Sequence, residues 1–507
     1  MSQLFAVKPL HQLTSDADPH GGPRLTRSLG PVQLVSLGIG AIIGAGIFST
    51  VGSAAAGGAN HLGAGPALVV SFMLTALACG FAALCYAEFA AMVPVAGSAY
   101  TYSYATLGEL VAWIIGWDLI IEYAIGNVAV AISWSGYFQE LLRGFGLTWP
   151  GWLGTDYRTA FRALAEYQAA GGATADLAPN VIRNAEAVLG APHIAGVPLL
   201  FNLPAFLVVM TITWVLVRGV RESAGFNTAM VILKLVVIAF FLAVGVFYVR
   251  PENWQPFAPN GFAGISSAAA IIFFAYIGFD AVSTAAEETR DPQRNMPIGM
   301  IGSLIVCTLI YMAVAIVLTG LVPWTDLGTA EPLATAFSSL GMHWTAGIIS
   351  AGAVFATTSV LIVFQMGQPR IFFSMARDGL LPPWAARIHP VYKTPHVTTI
   401  ITGVFVGLLA GLANIDEIVE LTNIGTLFAF VLVAVGVLVL RRTNPQAPRP
   451  FRTPFVPFVP ILAIVSCTYL MLELPWTTWE RFVIWLALGL VVYFAYGFRH
   501  SKLRRRA

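Results

Sequence analysis

Twelve apolar runs of about twenty residues each succeed one another along this chain, separated by short charged or Pro/Gly-rich stretches. Runs of that length are what a helix needs to cross the hydrocarbon core of a bilayer, where each segment must satisfy its backbone internally. They predict spanning helices over about 32–57, 65–91, 109–142, 198–217, 225–249, 264–288, 297–321, 343–367, 395–413, 417–440, 456–474 and 479–498. Composition agrees: 57% of the 507 residues are apolar and 10% charged, against about 45–50% and 25% in soluble chains. This excludes a secreted disulfide scaffold, a disordered chain and a soluble nucleic-acid binder. Cys79, Cys85, Cys307 and Cys467 all fall inside apolar runs and read as buried hydrophobes. The first 30 residues lack the apolar core of a signal peptide, so the first span is expected to be retained.

Orientation follows from Lys and Arg. With twelve spans and a cytoplasmic N-terminus, one face receives 20 of the 27 basic residues. These include Lys8, Arg24, Arg27, Arg218, Arg221, Arg290 and Arg294, and they end in Arg504-Arg505-Arg506. The other face receives six: Arg143, Arg158, Arg162, Arg183, Arg250 and Arg481. That asymmetry marks the cytoplasmic side and puts both termini there. The terminal arginines read as a membrane-surface anchor, not a nucleic-acid patch. The loop at about 143–197, on the outer face, is expected to hold short surface helices.

Two spans carry a local conflict. The first reads Ser36-Leu-Gly-Ile-Gly-Ala-Ile-Ile-Gly-Ala-Gly-Ile-Phe-Ser49 and the sixth Ile272-Phe-Phe-Ala-Tyr-Ile-Gly-Phe-Asp280. Close packing through small residues, and an aromatic lipid face, would account for them separately. Their depth argues otherwise. Gly44 to Gly46 lie about 18–21 Å along the first span from the cytoplasm, and Tyr276 to Gly278 reach similar depth from outside. Breaks at corresponding places in two halves are the mark of an inverted repeat, and an unwound segment at mid-membrane is tolerated only where it lines a cavity or is buried in protein. The outer half of span 1 would present the N–H groups of Ala45, Gly46 and Ile47 to a carboxylate. The carbonyls of Ile42, Phe274, Ala275 and Ile277 would suit an ammonium group. Together they form a receptor for a zwitterion, and Gly46→Leu or Gly44→Leu is expected to abolish binding in a protein that still folds.

Ionisable residues inside spans need a partner or a function. Glu88, Glu287 and Glu288 fall near cytoplasmic ends, where exposure or pairing with Arg290 or Arg294 would account for them. Asp280 is placed to cap the inner half of span 6. Lys234 lies about nine residues into span 5, and Glu122 near the midplane of span 3 with Asp118 one turn away. A buried Glu122–Lys234 salt bridge is the structural alternative to function for this pair.

The string at 38–48 resembles the substrate motif of the amino acid–polyamine–organocation superfamily. Phe273-Phe-Ala-Tyr-Ile-Gly-Phe-Asp-Ala-Val-Ser-Thr-Ala-Ala-Glu-Glu288 resembles the sixth-span signature of its cationic amino acid transporter subfamily. So does Gly367-Gln-Pro-Arg-Ile-Phe-Phe-Ser-Met-Ala-Arg-Asp-Gly-Leu-Leu-Pro382, placed after span 8. Tyr86-Ala-Glu-Phe-Ala-Ala-Met-Val-Pro94, followed by Gly97-Ser-Ala-Tyr100, is a looser match. The resemblance covers about residues 30–500 and is closer to bacterial members than to the animal cationic transporters, which have fourteen spans.

It implies an all-α membrane protein of LeuT-like fold: twelve transmembrane helices in a five-plus-five inverted repeat, with helices 1 and 6 broken and two helices added. The division would be a cytoplasmic segment 1–30, a first repeat 31–250, a second repeat 264–440, and 441–507 with the last two helices and a basic tail. It implies import of L-amino acids across the plasma membrane by alternating access. Substrate contacts carry over onto Ile42, Gly44, Ala45, Gly46, Phe274, Ala275 and Ile277, and Glu122 is a further candidate. Some relatives have Thr or Ser where this chain has Ala45, so that hydroxyl is missing. Phe273, Phe274 and Tyr276 are gating candidates, Phe274 foremost. In proton-coupled members a fifth-span lysine replaces the sodium ion that elsewhere joins helices 1 and 8. Lys234 matches it, with Gly40 or Ile43 carbonyls and a hydroxyl of Thr357, Thr358 or Ser359 as expected partners.

The implied partners are an amino acid, protons and the lipid bilayer, with a small accessory membrane subunit as a further candidate and no nucleic acid. No cofactor, metal or phosphate-binding motif is expected. Sodium coupling or uncoupled exchange are the alternatives within the fold. A membrane enzyme using Lys234 as nucleophile lacks an accompanying catalytic cluster, and a channel would show continuous current.

Overall fold

In the computed structural model, which describes residues 6–8, 29–58, 60–92, 98–170, 177, 179–219 and 224–506, the apolar runs fold as helices. In chain order these are α1 (Pro31–Ile42), α2 (Val51–Ala56), α3 (Leu68–Met92), α4 (Ser98–Thr106), α5 (Glu109–Ile120), α6 (Gly126–Gly144), α7 (Tyr157–Ala169) and α8 (Pro179–Leu189). They continue as α9 (Leu203–Arg218), α10 (Ala224–Gly245), α11 (Gly261–Ile272), α12 (Pro292–Leu321), α13 (Pro332–Ser339) and α14 (His343–Arg377). The last main helices are α15 (His396–Leu412), α16 (Ile415–Thr443), α17 (Phe458–Leu472) and α18 (Trp476–Val492). Among the described residues seven helical stretches are long and apolar enough to cross a membrane, and α1 with Gly46–Ala56 makes an eighth, bent by 45°. Four shorter apolar helices, Leu203–Arg218, Gly261–Tyr276, His396–Leu412 and Phe458–Leu472, lie among them. The chain is therefore an all-helical, multi-pass membrane protein.

Several boundaries differ from expectation. Span 8 runs on to Arg377, so most of the motif placed after it is helical, with Pro369 inside the helix. Tertiary contact carries it past the proline: Gly367 leaves room for the Tyr123 ring, which a Cβ there would meet at 2.6 Å. The amphiphilic stretch Ser98–Thr106, too polar to read as a span, is a short helix packed on α5 and α16. Asp280 is not a cap: Phe279 precedes the 3₁₀ run Asp280–Glu288, and Asp280 opens it. Glu88 is buried, not interfacial. Its partners are Arg441 Nε at 2.9 Å and Nη2 at 2.8 Å, and Arg449 Nε at 3.2 Å. Helix α3, the end of α16 and the loop that follows it bring these together, a pairing that local sequence cannot anticipate. The side chains of Glu287 and Glu288, and Arg24, Arg27, Arg221, Pro94 and Gly97, lie outside the described residues.

The two ends of the bundle are built differently. At one end the loop after α6 folds into α7 and α8, with Asp156 capping α7 by accepting from Thr159 N–H at 3.0 Å. A two-residue hairpin, His193–Ile194 with Val197–Pro198, follows. At the other end the chain is drawn tight. Lys8 N–H donates to Tyr104 O at 3.0 Å, Glu109 N–H to Ala6 O at 3.1 Å, and Lys8 Nζ to Asp378 Oδ1 at 3.2 Å. The buried Glu109 carboxylate holds Arg504 Nε at 3.0 Å and the hydroxyls of Tyr104 and Tyr493, each at 3.0 Å. Both described ends of the chain thus close over this face. The four cysteines are buried and unpaired.

Candidate functional site

The first break begins where α1 ends. Ile43 is extended (φ −74°, ψ 102°), and the chain resumes as a π turn over Gly46–Thr50. Phe48 N–H reaches back to Gly44 O at 3.3 Å. The N–H groups of Ala45, Gly46 and Ile47 therefore stand at the start of the outer half, where a helix has no partners of its own to offer. The second break follows a 3₁₀ turn over Phe273–Tyr276. Ile277 is extended (φ −59°, ψ 133°), and Gly278 takes φ +118°, which a residue with a side chain rarely adopts.

The two breaks fit each other through glycine. A Cβ on Gly46 would stand 2.2 Å from Ala275 Cα and 2.6 Å from its Cβ. A Cβ on Gly278 would stand 2.8 Å from Ala41 O and 2.9 Å from Ala41 C. Outer half meets outer half, and the lower break meets the end of α1, backbone against backbone. The fold thus brings Ile42, Ala45 and Gly46 together with Phe274, Ala275 and Ile277, all of them buried, as is Gly44. Gly44 does not share this contact. It faces α14, where a Cβ would lie 3.1 Å from the Val360 Cγ2 methyl.

Breaking a helix orphans carbonyls, and in an apolar bundle each must be met. Side chains from several helices do this. Thr75 on α3 donates to Ala269 O at 2.9 Å, and Asn423 on α16 to Ala270 O at 2.8 Å and Ile271 O at 3.0 Å. Tyr311 on α12 donates to Ile42 O at 3.0 Å, and Tyr137 on α6 donates to Phe48 O. Among the described residues no side chain donates to the carbonyls of Phe274, Ala275 or Ile277. Ile42 O keeps a second lone pair. Sequence reasoning missed Thr75, Asn423 and Tyr311. A lone Asn in the middle of an apolar span was the available signal.

The aromatic residues divide. Tyr276 donates to Phe72 O at 3.0 Å and packs against Phe72 and Tyr311, while Phe273 sets its ring on Phe430 at 5.6 Å. Phe274 keeps 6% of its surface. Lys234, 1% exposed, donates to Gly40 O at 2.7 Å. No bond joins it to the α14 hydroxyls, which are spent on their own helix. Thr357 donates to Ala353 O at 2.7 Å, Thr358 to Val354 O at 2.7 Å and Ser359 to Ala356 O at 2.9 Å. Back-bonding to the preceding turn is how a buried hydroxyl satisfies itself without a neighbour. Thr358 also accepts from Trp134 Nε1 at 2.9 Å. Glu122 does not pair with Lys234 either. It sits in a π turn, Ile121–Ile125, and accepts from Thr426 Oγ1 at 3.1 Å. Span 3 turns Glu122 toward α16, whereas α10 turns Lys234 toward α1.

Beyond the break, toward the α7–α8 end, lies a cavity of about 1210 Å³ that stops at Ser49 and Thr50, one turn past Gly46. Its rim is ion-paired. Glu331, ahead of α13, faces Arg183 at 3.6 Å and Arg143 at 3.9 Å, and Glu417 faces Arg481 at 3.2 Å and also Arg158. Burial pushes the Glu331 carboxyl up to about 7 against the opposing pull of Arg143. Near the rim His61 Nε2 lies 3.2 Å from Ser53 Oγ, which donates to Asp416 at 2.7 Å. Burial holds this imidazole below its ordinary range.

Known proteins similar in sequence to this chain show its family. The amino acid permease family model matches residues 29–494. The chain is 48% identical over 503 residues to the branched-chain amino acid permease BcaP of Bacillus subtilis, covering 99% of each. It is 44% identical over 506 residues to the methylthioribose transporter of the same organism, covering 100% of each. It is 35% identical over 446 residues to the vacuolar cationic amino acid transporter 4 of Arabidopsis thaliana, covering 87% of this chain and 67% of that one. These relatives are named as transporters, not enzymes, and the matched residues take in both broken helices and the buried lysine: the chain belongs to the amino acid permease family.

Proposed function

We propose that this protein imports L-amino acids across the plasma membrane by alternating access, driven by protons. The observation that carries the reading is the pair of breaks fitted through Gly46 and Gly278, with N–H groups at one break and, at the other, carbonyls to which no described side chain donates. An α-carboxylate binds the first and an α-ammonium the second, with Phe274 covering the ligand. Spans 1 and 6, 2 and 7, 3 and 8, and 4 and 9 pack against one another, which supports an inverted repeat of 31–250 with 264–440. Counting the bent pair and the shorter apolar helices gives twelve spans, both termini on the cytoplasmic face. The cavity at the α7–α8 end, and the closed opposite end, fit an outward-facing conformation. Lys234, bonded to Gly40 O between α10 and α1, takes the coupling role. Its charge ties the two helices when protonated, and its differing proton affinity in the two conformations supplies the coupling.

The relative that transports branched-chain amino acids favours a substrate with a small or branched apolar side chain. Glu122, buried and without a cationic partner among the described residues, favours a second reading in which the side chain is cationic. Uptake into proteoliposomes, measured over all twenty amino acids and methylthioribose at acid and neutral external pH, separates these. The expected result is uptake of leucine, isoleucine, valine or alanine that rises as external pH falls, is abolished by a protonophore and needs no sodium. An absolute sodium requirement overturns the coupling, and uptake of methylthioribose alone overturns the substrate class.

A further inference from the structure

Deep in the bundle, Asp118 on α5 is 1% exposed, and among the described residues neither of its carboxyl oxygens has a hydrogen-bond partner. Its neighbour Trp117 fixes the rotation of this helix by stacking on Trp485 at 4.6 Å and donating to Trp485 O at 2.9 Å. That turns Asp118 onto α16, where Gly425 makes room for it: a Cβ there would lie 2.7 Å from Asp118 Oδ1. One turn further along is Glu122, 5% exposed, which has only the Thr426 hydroxyl. Among the described residues neither acid forms an ion pair, and Lys234 is committed to Gly40 O on another face of the bundle. The other titratable groups around the pair are Asp280 on the inner part of span 6, Tyr86 on α3, Tyr123 on the π turn and Arg370 on α14. From α4, Tyr100 reaches Gly116, half a turn below Asp118, with its own hydroxyl on Asp378 at 2.7 Å.

An ionised carboxylate left without donor or counter-ion in such surroundings costs several kcal/mol, and two acids one turn apart repel each other when both are charged. A buried group in that position takes up a proton instead. We propose that Asp118 is a second proton-binding site of this transporter, beside Lys234, holding its proton as a neutral carboxylic acid while the cytoplasmic end is closed. When the closure formed by Ala6–Lys8, α4 and Asp378 opens, water reaches the carboxyl and the proton leaves to the cytoplasm. Glu122 adds its charge to the balance and sets the order of the two protonations. The inference rests on the reading of the chain as a proton-driven transporter.

The test uses the full-length protein in proteoliposomes. Infrared difference spectra of the wild type, taken as pH is stepped upward, should show the C=O stretch of a protonated carboxyl that Asp118→Asn removes and Asp118→Glu shifts. Asp118→Asn mimics the protonated, neutral form. It should therefore keep exchange of labelled for unlabelled substrate while losing accumulation driven by a proton gradient. Absence of any such band in the wild type, or wild-type accumulation by Asp118→Asn, overturns the proposal. If Asp118→Asn does not fold, the wild-type and Asp118→Glu spectra decide. If the wild type itself shows no proton-driven accumulation, the coupling reading fails, while the band still reports whether Asp118 holds a proton.

Discussion

Gly46→Ala is the sharpest test of the paired breaks. The added methyl would meet Ala275 Cα at 2.2 Å, Ala275 Cβ at 2.6 Å and Ala275 N at 2.9 Å. None of these atoms can swing aside, because all belong to backbone or to a Cβ fixed by it. The outer halves of spans 1 and 6 must separate to restore ordinary contact. Overpacking a closed site costs about 1–3 kcal/mol, and two backbones with no rotamer to yield belong at the upper end. If the two halves must meet to hold the ligand, a cost of about 3 kcal/mol weakens binding about 100-fold. Gly44→Ala is the internal control. Its methyl would have Val360 side-chain atoms as its nearest neighbours, Cγ2 at 3.1 Å, Cγ1 at 3.5 Å and Cβ at 3.7 Å, and the tightest of these can rotate away. Ligand-induced thermal shift in detergent reads both. Gly46→Ala should lose the shift at substrate concentrations where Gly44→Ala retains most of it. A Gly46→Ala protein that binds within about twofold of wild type would refute the claim that the breaks close on each other. The contact also revises the expectation for Gly46→Leu: such a side chain would threaten folding as well as binding.

Lys234→Met removes the donor to the half-buried Gly40 O, at a cost of about 1 kcal/mol. It should abolish proton-driven accumulation while substrate binding persists, and full pH-dependent accumulation would end its coupling role. Asn423→Leu orphans Ala270 O and Ile271 O together and should lower stability by about 2–4 kcal/mol, read by thermal unfolding. An unchanged midpoint would mean that water serves those carbonyls. Phe274→Ala opens the cover over the breaks and should weaken binding and admit larger side chains, as competition assays would show. The folded-state pKa of Glu331 is raised to about 7, so the folded protein binds more protons than the unfolded chain between the unfolded carboxylate value and 7. Stability then falls as pH rises through that window. Glu331→Gln should flatten this part of the pH–stability profile, and an unchanged profile would remove Glu331 as its source.

What the sequence by itself determined is local. The length and apolarity of each run decide that it enters a bilayer, because transfer free energy sums over neighbouring residues whatever their partners. Glycine at 44, 46 and 278 marks where helices 1 and 6 lose their regularity, because the penalty for glycine and its freedom at positive φ belong to the residue. The candidate contacts at Ile42, Ala45, Phe274, Ala275 and Ile277 could be named on that basis, as could Lys234 as an isolated charge. Pairing across the bundle was not legible. Tertiary structure decided that Gly46 faces the Ala275 backbone while Gly44 faces Val360, and that Glu88 meets Arg441 and Arg449. It decided that Asn423 and Tyr311 serve carbonyls of broken helices, and that Lys234 and Glu122 stand apart. Each of these depends on the rotation and axial register of two helices far apart in sequence. Those are set by ridge-and-groove packing summed over whole interfaces, to which any single residue contributes too little to announce its partner.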